Sequence, residues 1–138
     1  MKTKIVSLIS LLGTGFYLLG GFDNALECLI VVVILDYITG VISAWYNKKL
    51  DSKVGLKGIV KKLTYFLLVV LAVEIDKILG QVGIIRNLVI YFFVANDGLS
   101  VLENVGKMNI PIPKKLKDAL IQLSEDKEDT EKWLMRKI

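Results

Sequence analysis

The stretch VVVILDYITGVISAW, residues 31–45, is apolar on almost every turn and carries one carboxylate, Asp36, at its centre. On a helix, Asp36, Thr39, Gly40 and Ser43 fall at i, i+3, i+4 and i+7, so small and polar groups share one continuous face. Val33, Ile34, Val41 and Ile42 lie on the opposite side, which suits lipid or apolar packing. Gly40 lets another helix approach closely, and Thr39 and Ser43 can hydrogen-bond across the contact. A carboxylate at the centre of a membrane helix costs about 2.5–3.5 kcal/mol, so Asp36 needs either a partner or a wet surface.

The rest of the chain fits that setting. Its 138 residues hold one domain, and a composition of 54% hydrophobic residues with mean hydropathy +0.56 favours the membrane class. Three segments, 25–46, 63–79 and 84–102, each carry eleven Leu, Ile, Val or Phe residues. At about −0.3 to −0.6 kcal/mol apiece these outweigh one central acid, so each segment can insert. A fourth segment, 5–22, is interrupted by Gly13, Gly15, Gly20 and Gly21. It is read first as an uncleaved span, with an interfacial helix and a cleaved secretory signal as competing readings. The expected fold is an all-α integral membrane protein of four transmembrane helices, or three without 5–22, in antiparallel hairpins.

Basic residues orient it. A four-span arrangement puts 16 of the 18 lysines and arginines on one side and leaves only Lys77 and Arg86 on the other. That basic side is expected to be cytoplasmic, with both termini on the cytoplasmic side of a bacterial cytoplasmic membrane. The GQVG sequence at 80–83 reads as a tight outer turn. The segment 47–62 reads as an inner hairpin whose Lys48, Lys49, Lys53, Lys57, Lys61 and Lys62 face anionic headgroups.

Other spans carry polar groups too. Glu74 in the third is expected to need a special account, whereas Asp76 and Lys77 lie near the interface and can snorkel. Asn96 and Asp97 form a second polar patch in the fourth, beside Gly98 and Ser100. Together Asp36, Thr39, Gly40, Ser43, Glu74, Asn96 and Asp97 are expected to line a passage or an assembly face, with intrachain packing as the structural alternative. A proton or cation relay is weaker, because the chain shows no internal repeat. Enzymatic activity is not expected. There is no histidine to act as base or zinc ligand, Asp36 has no carboxylate at i+3 or i+4, and the glycine-rich stretch 13–21 fits no phosphate-binding loop. No metal, cofactor or nucleic-acid partner is expected, and the single cysteine, Cys28, precludes an internal disulfide.

Beyond the last span, Pro111 and Pro113 enforce an extended link, with Pro113 placed to start a helix. Leu116, Ala119, Leu120 and Leu123 then follow at i, i+3, i+4 and i+7, flanked by Lys114, Lys115, Lys117 and Asp118. Residues 107–138 are therefore expected to form a cytoplasmic basic amphipathic helix and a charged tail.

Two blocks carry a resemblance: LDYITGVISAWYNKKLDSKVGLKGIVKKL, residues 35–63, and NDGLSVLENVGKMNIPIPKKLKDALIQL, residues 96–123. Both are similar to hallmarks of the bacteriophage-lysis and toxin-secretion holin family of Gram-positive phages and clostridia. With the span between them, the likeness covers about two-thirds of the chain. It implies a small non-enzymatic membrane protein that accumulates, homo-oligomerises and permeabilises the bilayer, letting out an endolysin or a large toxin. Asp36, Thr39 and Gly40 correspond to the family's D-x-x-T-G element, Glu103 and Asn104 to its E-N pair, and Pro111 and Pro113 to its P-x-P, all as structural or assembly positions. An antiholin that co-assembles with a holin, and a small ion or solute transporter, are the alternative readings.

Overall fold

The structure, a computed structural model, describes residues 1–123 and Arg136. Among these it is all-helical, with α1 (Lys2–Leu18), α2 (Asn24–Tyr46), α3 (Ser52–Leu79), α4 (Ile84–Gly106) and α5 (114–123). The rest of the charged tail lies outside the described residues.

Helix α4 is central: it packs along both α2 and α3, which touch one another far less. The reason lies in sequence spacing. Leu26, Leu29, Asp36 and Ser43 are the buried residues of α2; Tyr65, Val69, Ala72 and Asp76 recur in steps of three and four on α3; Ile90, Phe93 and Asp97 do so on α4. Alternating steps of three and four keep one stripe of each helix on its neighbours over several turns. Leu29, Tyr65, Val69, Ile90, Phe93 and Val94 close the apolar part of the core, with Tyr65 and Phe93 stacked at a ring separation of 4.0 Å.

The outward faces stay apolar. Ile34, Ile38 and Ile42 on α2 and Leu63, Leu67 and Leu71 on α3 are exposed, and α1 has no buried residue at all. Water-soluble monomers rarely show so much contiguous apolar surface. Helices α2 and α4, each 23 residues or roughly 34 Å, are long and apolar enough to cross a membrane.

Two expectations change. Of the four expected spans, two meet that criterion of length and composition: α1 has 17 residues, and α3 carries Lys62, Glu74, Asp76 and Lys77 along its apolar part. The basic segment 47–62 is also not a long loop. Only residues 47–51 connect α2 to α3, because the Asp51 side chain accepts from the Lys53 backbone N–H and starts α3 there. Lys53, Lys57, Lys61 and Lys62 are therefore helical.

At the opposite end of the bundle, Asp76 and Arg86 form the joints. Gly80 and Gly83 take left-handed backbone angles in the turn between α3 and α4 (φ +67° and +74°), as the GQVG pattern requires. The Asp76 carboxylate accepts from the backbone N–H groups of Ile85 and Arg86, both at 2.9 Å, and so caps α4 from the end of α3. It is buried rather than snorkelling. The Arg86 side chain reaches back to the α1–α2 junction, donating to the carbonyls of Leu19 and Gly21 and bidentately to Asp23, at 2.6–3.0 Å. Gly20 lies against it at φ +86°, where a Cβ would stand 2.5 Å from Arg86 Nε. Asp23 also caps α2 through the Leu26 N–H.

Hydrogen bonding from Arg86 holds the Asp23 carboxyl below its ordinary pKa of 3.8. A depressed folded-state pKa gives stability that is complete above the ordinary value and lost as pH falls through the lower one. The Tm difference in detergent between wild type and Asp23→Asn, which keeps a capping oxygen, is therefore expected to be constant near neutrality and to shrink under strong acid. A difference unchanged into strong acid would show that the pair is not ionic.

Candidate functional site

The half of the α2–α3–α4 seam nearer the α2–α3 connection is polar. Lys62 Nζ donates to Asp36 Oδ2 and, at 2.8 Å, to Asp97 Oδ2, tying the three helices together through one ammonium. Both carboxylates are buried, Asp97 with 1% relative exposure. Tyr65 donates its hydroxyl to the other Asp97 oxygen at 3.2 Å, and the Asn96 amide lies 3.4 Å from that same atom. On the α2 side Asn104 Nδ2 reaches Asp36 Oδ1 at 3.1 Å and Thr39 Oγ1 at 3.0 Å, and Thr39 donates back to the Leu35 carbonyl. Among the described residues, no buried side-chain polar atom lacks a partner.

One ammonium faces two carboxylates, so the cluster carries a formal charge of −1 with both acids ionised. Arrays of this kind persist in low dielectric when the remaining carboxylate oxygens are hydrogen-bonded, as they are here by Tyr65 and Asn104. Beside the cluster a cleft of about 320 Å³ opens between α2 and the first half of α3. Asp36, Lys62, Ser100 and Asn104 stand among its polar lining, and Tyr37, Val41 and Val54 among its apolar lining. Gly55 and Gly58 border it as well, keeping that side shallow. The arrangement offers a largely apolar cleft at the α2–α3 connection with the Asp36–Lys62 pair in its wall. It offers no metal cluster among the described residues.

The expected site residues thus divide. Asp36, Thr39, Asn104 and Asp97 come together, joined by Lys62; Gly40 packs toward Asn104, a Cβ there being 3.6 Å from its amide nitrogen. Ser43 is buried one turn further on, and its carbonyl accepts from Asn47. Glu74 stands apart: it is exposed and pairs with Lys77 at 2.9 Å, so the carboxylate needing explanation at that end is Asp76. Glu103 is exposed beside Lys107, 3.5 Å away. Pro113 starts α5, its carbonyl accepting from Leu116 and Lys117, whereas Pro111 is an exposed linker residue.

Lys62 and Arg86 carry more than their sequence positions suggested. Lys62, expected from the sequence to face headgroups, sits three residues before Tyr65 and seven before Val69, on the buried stripe of α3. That spacing was the available signal. Arg86 gave none, since its partners lie 63 to 67 residues away.

Lys62→Met strands two acids without a cation and is expected to lower stability by about 3–5 kcal/mol. Asp36→Asn leaves a matched Lys62–Asp97 pair and an acceptor for Asn104, and is expected to cost about 1 kcal/mol. Thermal unfolding of the purified variants in one detergent ranks them; equal losses would show that Lys62 serves Asp36 alone.

Comparison with known proteins places this arrangement. The bacteriophage holin family model matches residues 13–125. A Clostridium perfringens protein described as an uncharacterized 14.9 kDa protein in the nagH 3′ region is 42% identical over 129 residues, 92% of this chain and 95% of that protein. Bacillus subtilis YqxH, described as uncharacterized, is 40% identical over 114 residues, 83% of this chain and 81% of the relative. A Bacillus phage phi105 protein described as a probable holin is 38% identical over 108 residues, 78% of this chain and 80% of that protein. No solved structure matches. The matched region runs through α2, α3, α4 and α5 and contains every residue of the polar cluster, and on that extent this chain belongs to the bacteriophage holin family.

Proposed function

We propose that the protein is a holin that assembles with copies of itself in a bacterial cytoplasmic membrane and permeabilises it. The observation that carries this reading is the family match across the whole polar seam, joined to the wide apolar outer surface. An isolated chain can rest in lipid because Lys62, Asn104 and Tyr65 neutralise or hydrogen-bond Asp36 and Asp97. Rearranged between copies, the same groups would form a hydrated wall, with Asp36, Thr39, Gly40, Ser43, Asn96 and Asp97 on it.

The topology that fits is multi-pass. In it α1 to α4 cross in antiparallel order, both termini are cytoplasmic, and the lysines at the start of α3 meet anionic headgroups of the inner leaflet. The lesion would pass an endolysin or a toxin from the cytoplasm. Membrane passage requires no chemistry of these residues, so they act by packing, charge and hydration.

Induction of the chain alone in a bacterium, with folded marker enzymes of increasing diameter in the cytoplasm, tests this. Abrupt arrest of growth with release of at least the smaller markers is expected. Growth without leakage would favour an antiholin, which regulates a partner holin, and leakage of ions with retention of all markers would favour a transporter. Within the leading reading, Lys62→Met is expected to change the onset time of release while Lys114→Ala leaves it within about twofold, the latter being an exposed charge of small energetic weight.

A further inference from the structure

Helix α3 is longer than its neighbours, with 28 residues against 23 each for α2 and α4. The hydrogen bonds from Lys62 to Asp36 and Asp97 put these three residues at one level of the bundle. Asp36 lies ten residues before the end of α2 at Tyr46, and Lys62 lies ten residues after the start of α3 at Ser52. The first ten residues of α3 therefore run alongside the last ten of α2. The cleft between them agrees, with Gly40, Val41 and Ala44 on one wall and Val54, Gly55 and Gly58 on the other. Ten residues of helix rise about 15 Å, the half-thickness of a hydrocarbon core.

These two half-helices turn opposite chemistry outward. On α2 the exposed side chains are Ile34, Ile38 and Ile42, followed by Trp45 and Tyr46 at the end, an apolar surface closed by an aromatic rim. On α3, Lys53, Lys57 and Lys61 recur every four residues as one exposed ridge, bordered by exposed Leu56, Val60 and Leu63. Among the described residues none of these three ammonium groups has an acidic partner. With Trp45 and Tyr46 at the inner interface, Lys61 stands about 14 Å deeper, and its four-carbon stem falls well short of that distance. A flat leaflet thus suits the outer face of α2 or that of α3, but not both. Headgroups and water descending along α3 resolve the conflict, the local thinning by which a bilayer accommodates charge within a span.

We propose that the Lys53–Lys57–Lys61 ridge binds anionic phospholipid headgroups at depth and draws the inner leaflet down along α3 to the level of the Lys62 cluster. Three cations in a row without an acid match lipid phosphates, and the flanking Leu56, Val60 and Leu63 keep contact with the acyl chains of the same lipids. The bilayer is then thinnest on one side of each copy, beside α3. The proposal rests on the reading in which α2 and α3 cross the membrane, and extends it from contact at the surface to a furrow reaching mid-bilayer.

The test uses the full chain with Cys28→Ser, leaving no native thiol, and a nitroxide on one introduced cysteine, either Leu63→Cys or Ile38→Cys. Both side chains are exposed, and Leu63 is the deeper in a flat bilayer, lying one residue beyond Lys62 where Ile38 lies two residues short of Asp36. In phosphatidylcholine–phosphatidylglycerol vesicles at low protein density, electron spin resonance measures collisions with a water-soluble nickel chelate. The label at 63 is expected to be about fivefold more accessible than the label at 38. Lys53→Gln, Lys57→Gln and Lys61→Gln together are expected to abolish that excess, the corresponding arginine triple to keep it, and vesicles of phosphatidylcholine alone to reduce it. Equal, low accessibility at the two positions overturns the furrow. An excess that survives the glutamine triple, is lost in the arginine triple, or is unchanged without phosphatidylglycerol overturns the lysines and anionic headgroups as its cause. High accessibility at both positions shows that α2 is not embedded, and overturns the spanning reading and the furrow with it.

Discussion

One ammonium between two carboxylates sets the terms for this molecule. Lys62, Asp36 and Asp97 come from three different helices, so their contact fixes the relative depth of α2, α3 and α4 as well as their neighbours. Sliding any helix by one turn moves a charge by about 5.4 Å and leaves it facing apolar side chains. Dispersion between Leu, Val and Phe tolerates such a slip far better, because apolar contacts are non-directional. The ion cluster is therefore the register mark of the bundle, and the apolar core supplies its cohesion.

The seam is divided along its length. Toward the turn between α3 and α4 it is closed by Leu29, Val69, Ile90 and Phe93; toward the other end it becomes Asp36, Ser43, Lys62, Asp97 and Asn104. The same division separates what holds the fold from what can change. Apolar packing at one end is secured by Asp76 capping α4 and by Arg86 holding the Leu19–Asp23 junction. At the opposite end α2 and the first half of α3 diverge around the cleft. Within one copy, every buried side-chain polar atom among the described residues has a partner.

Belonging to the holin family makes physical sense of features that would be liabilities in a soluble protein. The exposed isoleucines of α2 and leucines of α3 match acyl chains, and α1, linked through Gly20 and Gly21, stands beside the bundle with no buried side chain. Its hydroxyls at Ser7 and Thr14 donate to its own backbone carbonyls, at 2.9 Å each.

Composition, apolar run lengths and turn residues were enough to determine that the chain is helical, that its outer surfaces are lipid-like, where the turn at 80–83 falls, and that Asp36 and Asp97 belong to special polar faces. Each of these is a local property, written in spacing and side-chain type. Tertiary structure alone decided which acids are buried and with whom. It moved the weight from Glu74 to Asp76, two residues on, because helix rotation turns one outward beside Lys77 and the other toward the backbone of α4. It took Lys62 out of the headgroup-facing set and gave Arg86 its partners at the α1–α2 junction, since pairings across 26 to 67 residues depend on which helices become neighbours. The same holds for the contact of Leu120 with Gly98: each is ordinary in its own helix, and they meet only because the chain reverses between them.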